Sequence, residues 1–142
     1  MKINRTGSAI WAGGLKDGGG SISTQSGALK EYSYGFGSRF ENAGGTNPEE
    51  LLGAAHAGCF TMALSLTLEK AGFKAERLDT KAVVTLEQVP EGFSITTVAL
   101  TLRAKIPGIE ADQFQTLAGQ AKAGCPVSKV LNAQISLDAQ LV

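Results

Sequence analysis

The chain has 142 residues, 43% of them hydrophobic, which is enough for one cored domain and short of two. Its 13 basic and 13 acidic residues cancel, so charge recommends neither nucleic acid nor an anionic membrane as a partner. No uninterrupted apolar run of about 18 to 20 residues marks a membrane span and the start carries no export signal, so a soluble, cytoplasmic protein is expected.

Glycine breaks up the first third of the chain. Gly13-Gly14 and Gly18-Gly19-Gly20 separate short runs such as Ala9-Ile10-Trp11 and Ser21-Ile22-Ser23, which predicts small antiparallel strands joined by turns. No Gly-Lys-Ser/Thr follows the triple glycine, so it is not read as a phosphate loop. Tyr32 to Phe40 alternates aromatic with small residues, carries Arg39 near its end, and reads as a further strand or strand edge.

A long helix follows. Asn47 suits its N-cap, Pro48 its first turn, Glu50 the reciprocal capping place and Gly72 its C-terminal stop. So bounded, it has about 24 residues and is about 36 Å long. Leu51 to Leu68 is apolar or small on nearly every side, which places the helix in a core or between two subunits. Gly53, Ala54, Ala55, Ala57 and Gly58 would let another backbone come close.

Lys81 to Gln88 and Phe93 to Ala104 flank a Pro90-Glu91-Gly92 turn and predict a hairpin with at least one buried face. Glu110 to Ala123 carries Phe114, Leu117 and Ala121 at helical spacing and stops at Gly124. A short helix restarts at Cys125-Pro126. Ile135, Leu137, Ala139 and Leu141 then alternate with polar residues in a last strand. The order βββ-α-ββ-α-α-β is an α+β pattern; without repeat or linker, a single domain over 1–142 is expected.

Two cysteines and one histidine limit the chemistry. Cys59 and Cys125 form no CxxC or zinc spacing, and a four-ligand metal site is hard to assemble, so no metal is expected. Two buried free thiols are the simplest reading in a reducing compartment. Cys125, however, stands directly before a first-turn proline, at or beside an N-cap, where unpaired N–H groups favour a thiolate. His56 lies three residues before Cys59 on roughly the same helix side. That spacing permits a Cys–His pair, as in a hydrolase or acyltransferase, and equally a packing histidine.

Arg39 is the one cation between Lys30 and Lys70. A guanidinium near a sulfur would favour the thiolate and hold an oxygen as charge develops on it. At 100° per residue, Glu50 points away from Cys59 and Glu49 falls about 80° from it, which makes Glu49 the functional candidate. About 15 Å of helix axis separates Glu49 from Cys59, so it would act through Arg39 or from a second subunit. A dimeric binding module with packing cysteines is the non-catalytic alternative.

Five segments together resemble the OsmC family, and they cover nearly the whole chain in order. They are Tyr34-Gly35-Phe36, Arg39-Phe40-Glu41, Gly45-Thr46-Asn47-Pro48-Glu49-Glu50-Leu51, Gly53-Ala54-Ala55-His56-Ala57-Gly58-Cys59-Phe60 and Lys122-Ala123-Gly124-Cys125-Pro126-Val127-Ser128. Each alone is weak; two cysteines in two motifs at the family interval are specific. The resemblance implies an intertwined α+β homodimer, with antiparallel sheets packed around the long apolar helix and two sites at the subunit boundary. It also implies reduction of hydroperoxides, organic ones preferred to hydrogen peroxide, at the expense of an external dithiol, in defence against oxidative or osmotic stress.

Carried over by position, Cys59 is the peroxidatic thiol, Cys125 the resolving thiol that closes a disulfide, Arg39 the activating cation and Glu49 its carboxylate partner. No metal, flavin or haem is required. The sister branch of organic hydroperoxide resistance proteins has its activating arginine in the early glycine-rich turn and a tyrosine where this chain has His56. Here that turn reads Gly13-Gly14-Leu15-Lys16-Asp17, which favours the OsmC branch. Phe60, Met62 and Phe36 are candidates to line an alkyl tail, or plain core.

Overall fold

Short strands separated by glycine turns open the computed structural model, which describes residues 1–142. The chain forms two compact units, Met1–Leu51 and Leu52–Val142. In the first, β1 (Gly7–Ala12), β2 (Gly19–Thr24) and β3 (Tyr32–Tyr34) make an antiparallel sheet in that order. The expected strand from Tyr32 to Phe40 ends at Tyr34. Phe36–Phe40 is instead a short helix, α1. The reason is local: Ser38 Oγ accepts the Gly35 N–H at 2.9 Å and donates to the Thr46 carbonyl at 2.7 Å, which closes a helical turn where alternation alone suggested a strand.

The long helix, α2, covers Pro48–Lys70. Asn47 caps it by accepting the Glu50 N–H at 2.8 Å. Glu50 answers through side chains and not through the Asn47 backbone, taking Asn47 Nδ2 at 3.1 Å and the Thr46 hydroxyl at 3.0 Å. At the other end Gly72 adopts φ +88°, and the Phe73 and Gly72 N–H groups return to the Leu68 and Glu69 carbonyls at 2.9 and 3.0 Å. This is a Schellman stop, in which glycine avoids the Cβ penalty of the left-handed region.

In the second unit, β4 (Arg77–Val89) and β5 (Gly92–Lys105) form the expected hairpin, longer than the sequence suggested at its outer ends. Helices α3 (Ala111–Gly124) and α4 (Pro126–Val130) then lead to β6 (Gln134–Leu141). β6 lies parallel to β5, so this sheet, of order β4-β5-β6, is mixed where antiparallel sheets were expected. A tight turn forces antiparallel pairing, whereas the two helices between β5 and β6 permit a crossover.

The core of this unit gathers Phe60, Leu64 and Leu68 of α2, Val98, Leu100, Leu102 and Ala104 of β5, Phe114, Ala118 and Ala121 of α3, and Cys125. The α2 face that enters it is a line at helical spacing, Gly53, His56, Phe60, Leu64 and Leu68. Within one chain, Ala54, Ala55, Gly58, Met62 and Leu66 stay exposed on the other side, so the helix is half core and half uncovered apolar surface. By length and composition α2 is apolar enough to cross a membrane, but its Phe60, Leu64 and Leu68 line is committed to the core.

Candidate active site

The sequence candidates meet in two pairs, one in each unit. In the first unit Arg39, on α1, faces Glu49, in the first turn of α2. Arg39 Nε lies 3.2 and 3.3 Å from the two carboxylate oxygens, and Nη2 is 2.8 Å from Oε1. Glu49 is buried, so its charge is held by a guanidinium fork in a partly dry setting, and the fork fixes the plane of the arginine. Nη1 takes no part in the pair. Arg39 also lines a depression of about 170 Å³ with Trp11, Leu15, Tyr34, Gly35, Phe36 and Phe40, a largely aromatic wall beside a cation. Both partners come from the same chain, so no second subunit is needed to bring Glu49 to Arg39.

The second pair is Cys59, midway along α2, and Cys125, the N-cap residue of α4. Neither is in a disulfide, and the two thiols hydrogen-bond to each other. Access divides them. Cys125 is fully buried, whereas Cys59 is half-buried and lines an open depression of about 640 Å³ with Met62, Ala63, Ser65, Leu66, Glu69, Gly124 and Pro126. Met62 therefore stands where an apolar substrate tail would meet Cys59. Phe60 does not: it is 0% exposed and belongs to the core. Phe36 lines the Arg39 depression of the other unit.

Acidity divides the thiols the opposite way. Burial raises the Cys59 pKa, its bond to Cys125 raises it further, and the Val127 N–H only partly offsets them. Burial also works to raise Cys125, but bonds from Cys59, from the Ser128 N–H and hydroxyl and from the Val127 N–H outweigh it, so its pKa falls below the ordinary thiol value. Charge placed on the pair thus rests first on the buried sulfur, with the Cys59 proton directed at it.

Sequence reasoning missed Ser128. His56 is 0% exposed and does not engage Cys59: its Nε2 sits 2.7 Å from Ser128 Oγ, while Nδ1 is buried without a partner. Burial holds its pKa down, so the ring is neutral at pH 7. With neither ring nitrogen bonded to Cys59, the Cys59–His56 hydrolase reading has no geometric support. The available signal for Ser128 was its place three residues after an N-cap cysteine, where a side chain turns back toward the cap.

Residues 41–140 match the family model described as OsmC-like protein. Over 141 residues, 99% of either chain, the sequence is 54% identical to Peroxiredoxin OsmC of Escherichia coli strain K12. The chain belongs to the OsmC family. A more distant relative of this OsmC-family chain, the organic hydroperoxide resistance protein of Xanthomonas axonopodis pv. citri, is 32% identical over 94 residues, 66% of this chain and 64% of its own. Likeness to OsmC proteins extends to the fold. The Legionella pneumophila structure described as an organic hydroperoxide resistance protein OsmC is similar with a TM-score of 0.71 at 27% identity, covering 98% of this chain and 99% of that one.

Proposed function

We propose that this OsmC-family chain, a thiol-dependent peroxidase, reduces organic hydroperoxides at Cys59 and closes a disulfide between Cys59 and Cys125. The observation that carries this reading is the direct contact of the two thiols, one open to a substrate and the other buried behind it. The proton on Cys59 passes to Cys125. The Cys59 thiolate attacks the distal peroxide oxygen, an S–O bond forms as the O–O bond breaks, and the alkoxide leaves and takes up a proton. Cys125 then attacks the Cys59 sulfenic sulfur, the S–S bond forming as the S–OH bond breaks and water leaves, and an external dithiol reopens the disulfide.

Arg39 is assigned as the activating cation and Glu49 as the group that orients it. A fixed fork with one nitrogen outside the ion pair suits a developing oxyanion. The surface of α2 left uncovered in one chain, Ala54, Ala55, Gly58, Met62 and Leu66, supports a homodimer, because small residues let a second helix approach and the apolar ones gain by burial. Two adjacent free thiols fit a reducing compartment, which supports the cytoplasm as location.

The test is an intact-mass measurement on reduced protein given one equivalent of cumene hydroperoxide. A loss of about two hydrogens per chain, with the Cys59–Cys125 crosslink found in peptides, is expected. Peroxide consumption that persists in Cys59→Ser would refute the assignment.

A further inference from the structure

The His56 ring and the Ser128 hydroxyl have no part in the scheme so far, yet His56 is fully buried and its partner Ser128, half-buried, stands three residues beyond Cys125. Their tautomer and direction follow from elementary accounting. An orphaned N–H is rarer and costlier than an orphaned lone pair. His56 Nδ1 is the partnerless atom, so it carries the lone pair, and Nε2 carries the hydrogen in this neutral ring. Nε2–H then donates to Ser128 Oγ at 2.7 Å. Ser128 has one hydrogen of its own to give, and the sulfur its hydroxyl faces is Cys125. The donors run in one direction, from histidine to serine to cysteine.

We infer that His56 and Ser128 form a donor chain that holds Cys125 as a thiolate once Cys59 has been oxidised, making Cys125 both the resolving nucleophile and the preferred leaving group when the disulfide is reopened. His56 and Ser128 are positioning residues, since neither touches substrate. The inference rests on the two-cysteine reading above and concerns its second step.

In the resting pair Cys59 donates a hydrogen bond to Cys125. That donor disappears when Cys59 becomes a sulfenic acid, at the moment Cys125 has to be nucleophilic. The reacting form of the pair has given up one proton to solvent and keeps the other. The hydroperoxide takes the pair's proton as its alkoxide departs as alcohol, which leaves Cys59–SOH and the Cys125 thiolate. An S–S bond then forms as the S–OH bond breaks, and hydroxide leaves to be protonated by solvent. Two electrons pass from the two sulfurs to the peroxide. On reopening, the external dithiol attacks the accessible Cys59 sulfur and expels Cys125 as a thiolate, again into the Ser128 hydroxyl.

The test compares full-length wild type with Ser128→Ala, Ser128→Thr and His56→Gln in single-turnover reactions with cumene hydroperoxide. It follows formation of the Cys59 sulfenic acid by dimedone capture and closure of the disulfide by quenched intact mass. In Ser128→Ala, closure is expected to slow about tenfold relative to sulfenic acid formation, the loss of one hydrogen bond to a charged group. Ser128→Thr, which keeps a hydroxyl, is expected to recover most of it. A second measurement does not depend on turnover: in a Cys59→Ala background, the thiolate absorbance of Cys125 is titrated with and without Ser128→Ala, and the serine variant is expected to titrate at higher pH.

An unchanged closure ratio with an unchanged titration overturns the inference, as does failure of Ser128→Thr to differ from Ser128→Ala. These results leave the peroxidase reading intact. If wild type itself forms no Cys59–Cys125 disulfide, the two-cysteine reading fails first and the inference with it. His56→Gln checks the far end of the chain, because glutamine retains an N–H to donate to Ser128 and is expected to fall between wild type and Ser128→Ala.

Discussion

Cys59 gives its thiol hydrogen bond to Cys125, so the sulfur that substrate can reach is not the sulfur that most easily holds charge. Such a pair works only if both members are present. In Cys125→Ser, Cys59 is expected to oxidise once and stop at the sulfenic acid, with dithiol-linked turnover lost by at least about a hundredfold. Cys59→Ser is expected to consume no peroxide at all. Dimedone labelling and intact mass read both outcomes.

The opposed acidities predict two separated thiolate steps, the first below the ordinary thiol pKa and the second above it. Cys59→Ala removes a donor to Cys125, so the remaining step should move up from the first wild-type value. Cys125→Ala removes the acceptor that helps keep Cys59 protonated, so the Cys59 step should move down from the second. Thiolate absorbance against pH measures all three proteins, and steps that stay in place in the variants would show that the sulfurs do not communicate.

His56 is buried neutral, its pKa lowered from an ordinary value of 6.5. The unfolded chain therefore binds more protons than the folded one below pH 6.5, and stability falls on acidification through that range. The contribution is fully present above the unfolded pKa. One proton gives a slope of at most about 1.4 kcal/mol per pH unit. In His56→Gln the slope from this residue should vanish, which urea unfolding at several pH values between 6.5 and 5 measures.

Removing the fork at Glu49 tests orientation apart from charge. Arg39→Lys keeps a cation but cannot match both carboxylate oxygens, and kcat/KM for cumene hydroperoxide is expected to drop at least about tenfold. Glu49→Gln frees the guanidinium and is expected to cost a similar factor, with the double variant little worse than either single one, because both act through one group. Arg39→Ala should also lower stability by about 1 to 3 kcal/mol, as it leaves the buried Glu49 carboxylate without its partner.

The uncovered face of α2 predicts self-association. Met62 and Leu66 are exposed in the single chain, at 78% and 53%, although both are apolar. Sedimentation equilibrium is expected to give about twice the 14.7 kDa chain mass. Met62→Glu should shift the protein toward the monomer, since it would place an unpaired charge in an apolar contact. A wild-type monomer at low micromolar concentration would remove the dimer.

Caps and stops were legible in the sequence because they are decided by neighbours a few residues apart. Asn47 with Glu50, Pro48, and Gly72 bound α2 within a residue or two of where it runs, and Cys125-Pro126 starts α4. The Tyr32 to Phe40 run misled because Ser38 reaches Thr46, a partner that strand alternation does not encode. The direction of β6 was equally hidden, since alternation fixes which face of a strand is apolar and says nothing of which way the strand runs.

For the site, the residues Arg39, Glu49, Cys59 and Cys125 and the OsmC-family likeness came from the order of residues alone. The sequence also determined that the long helix would be apolar on more than one side. Only the tertiary structure decided that Glu49 grips Arg39 within one chain, that Cys59 and Cys125 touch, and that His56 turns away from its helix neighbour to Ser128. Local hydrogen bonds and periodicity are properties of adjacent residues. Contacts between remote side chains exist only after the core has fixed where each helix and strand lies.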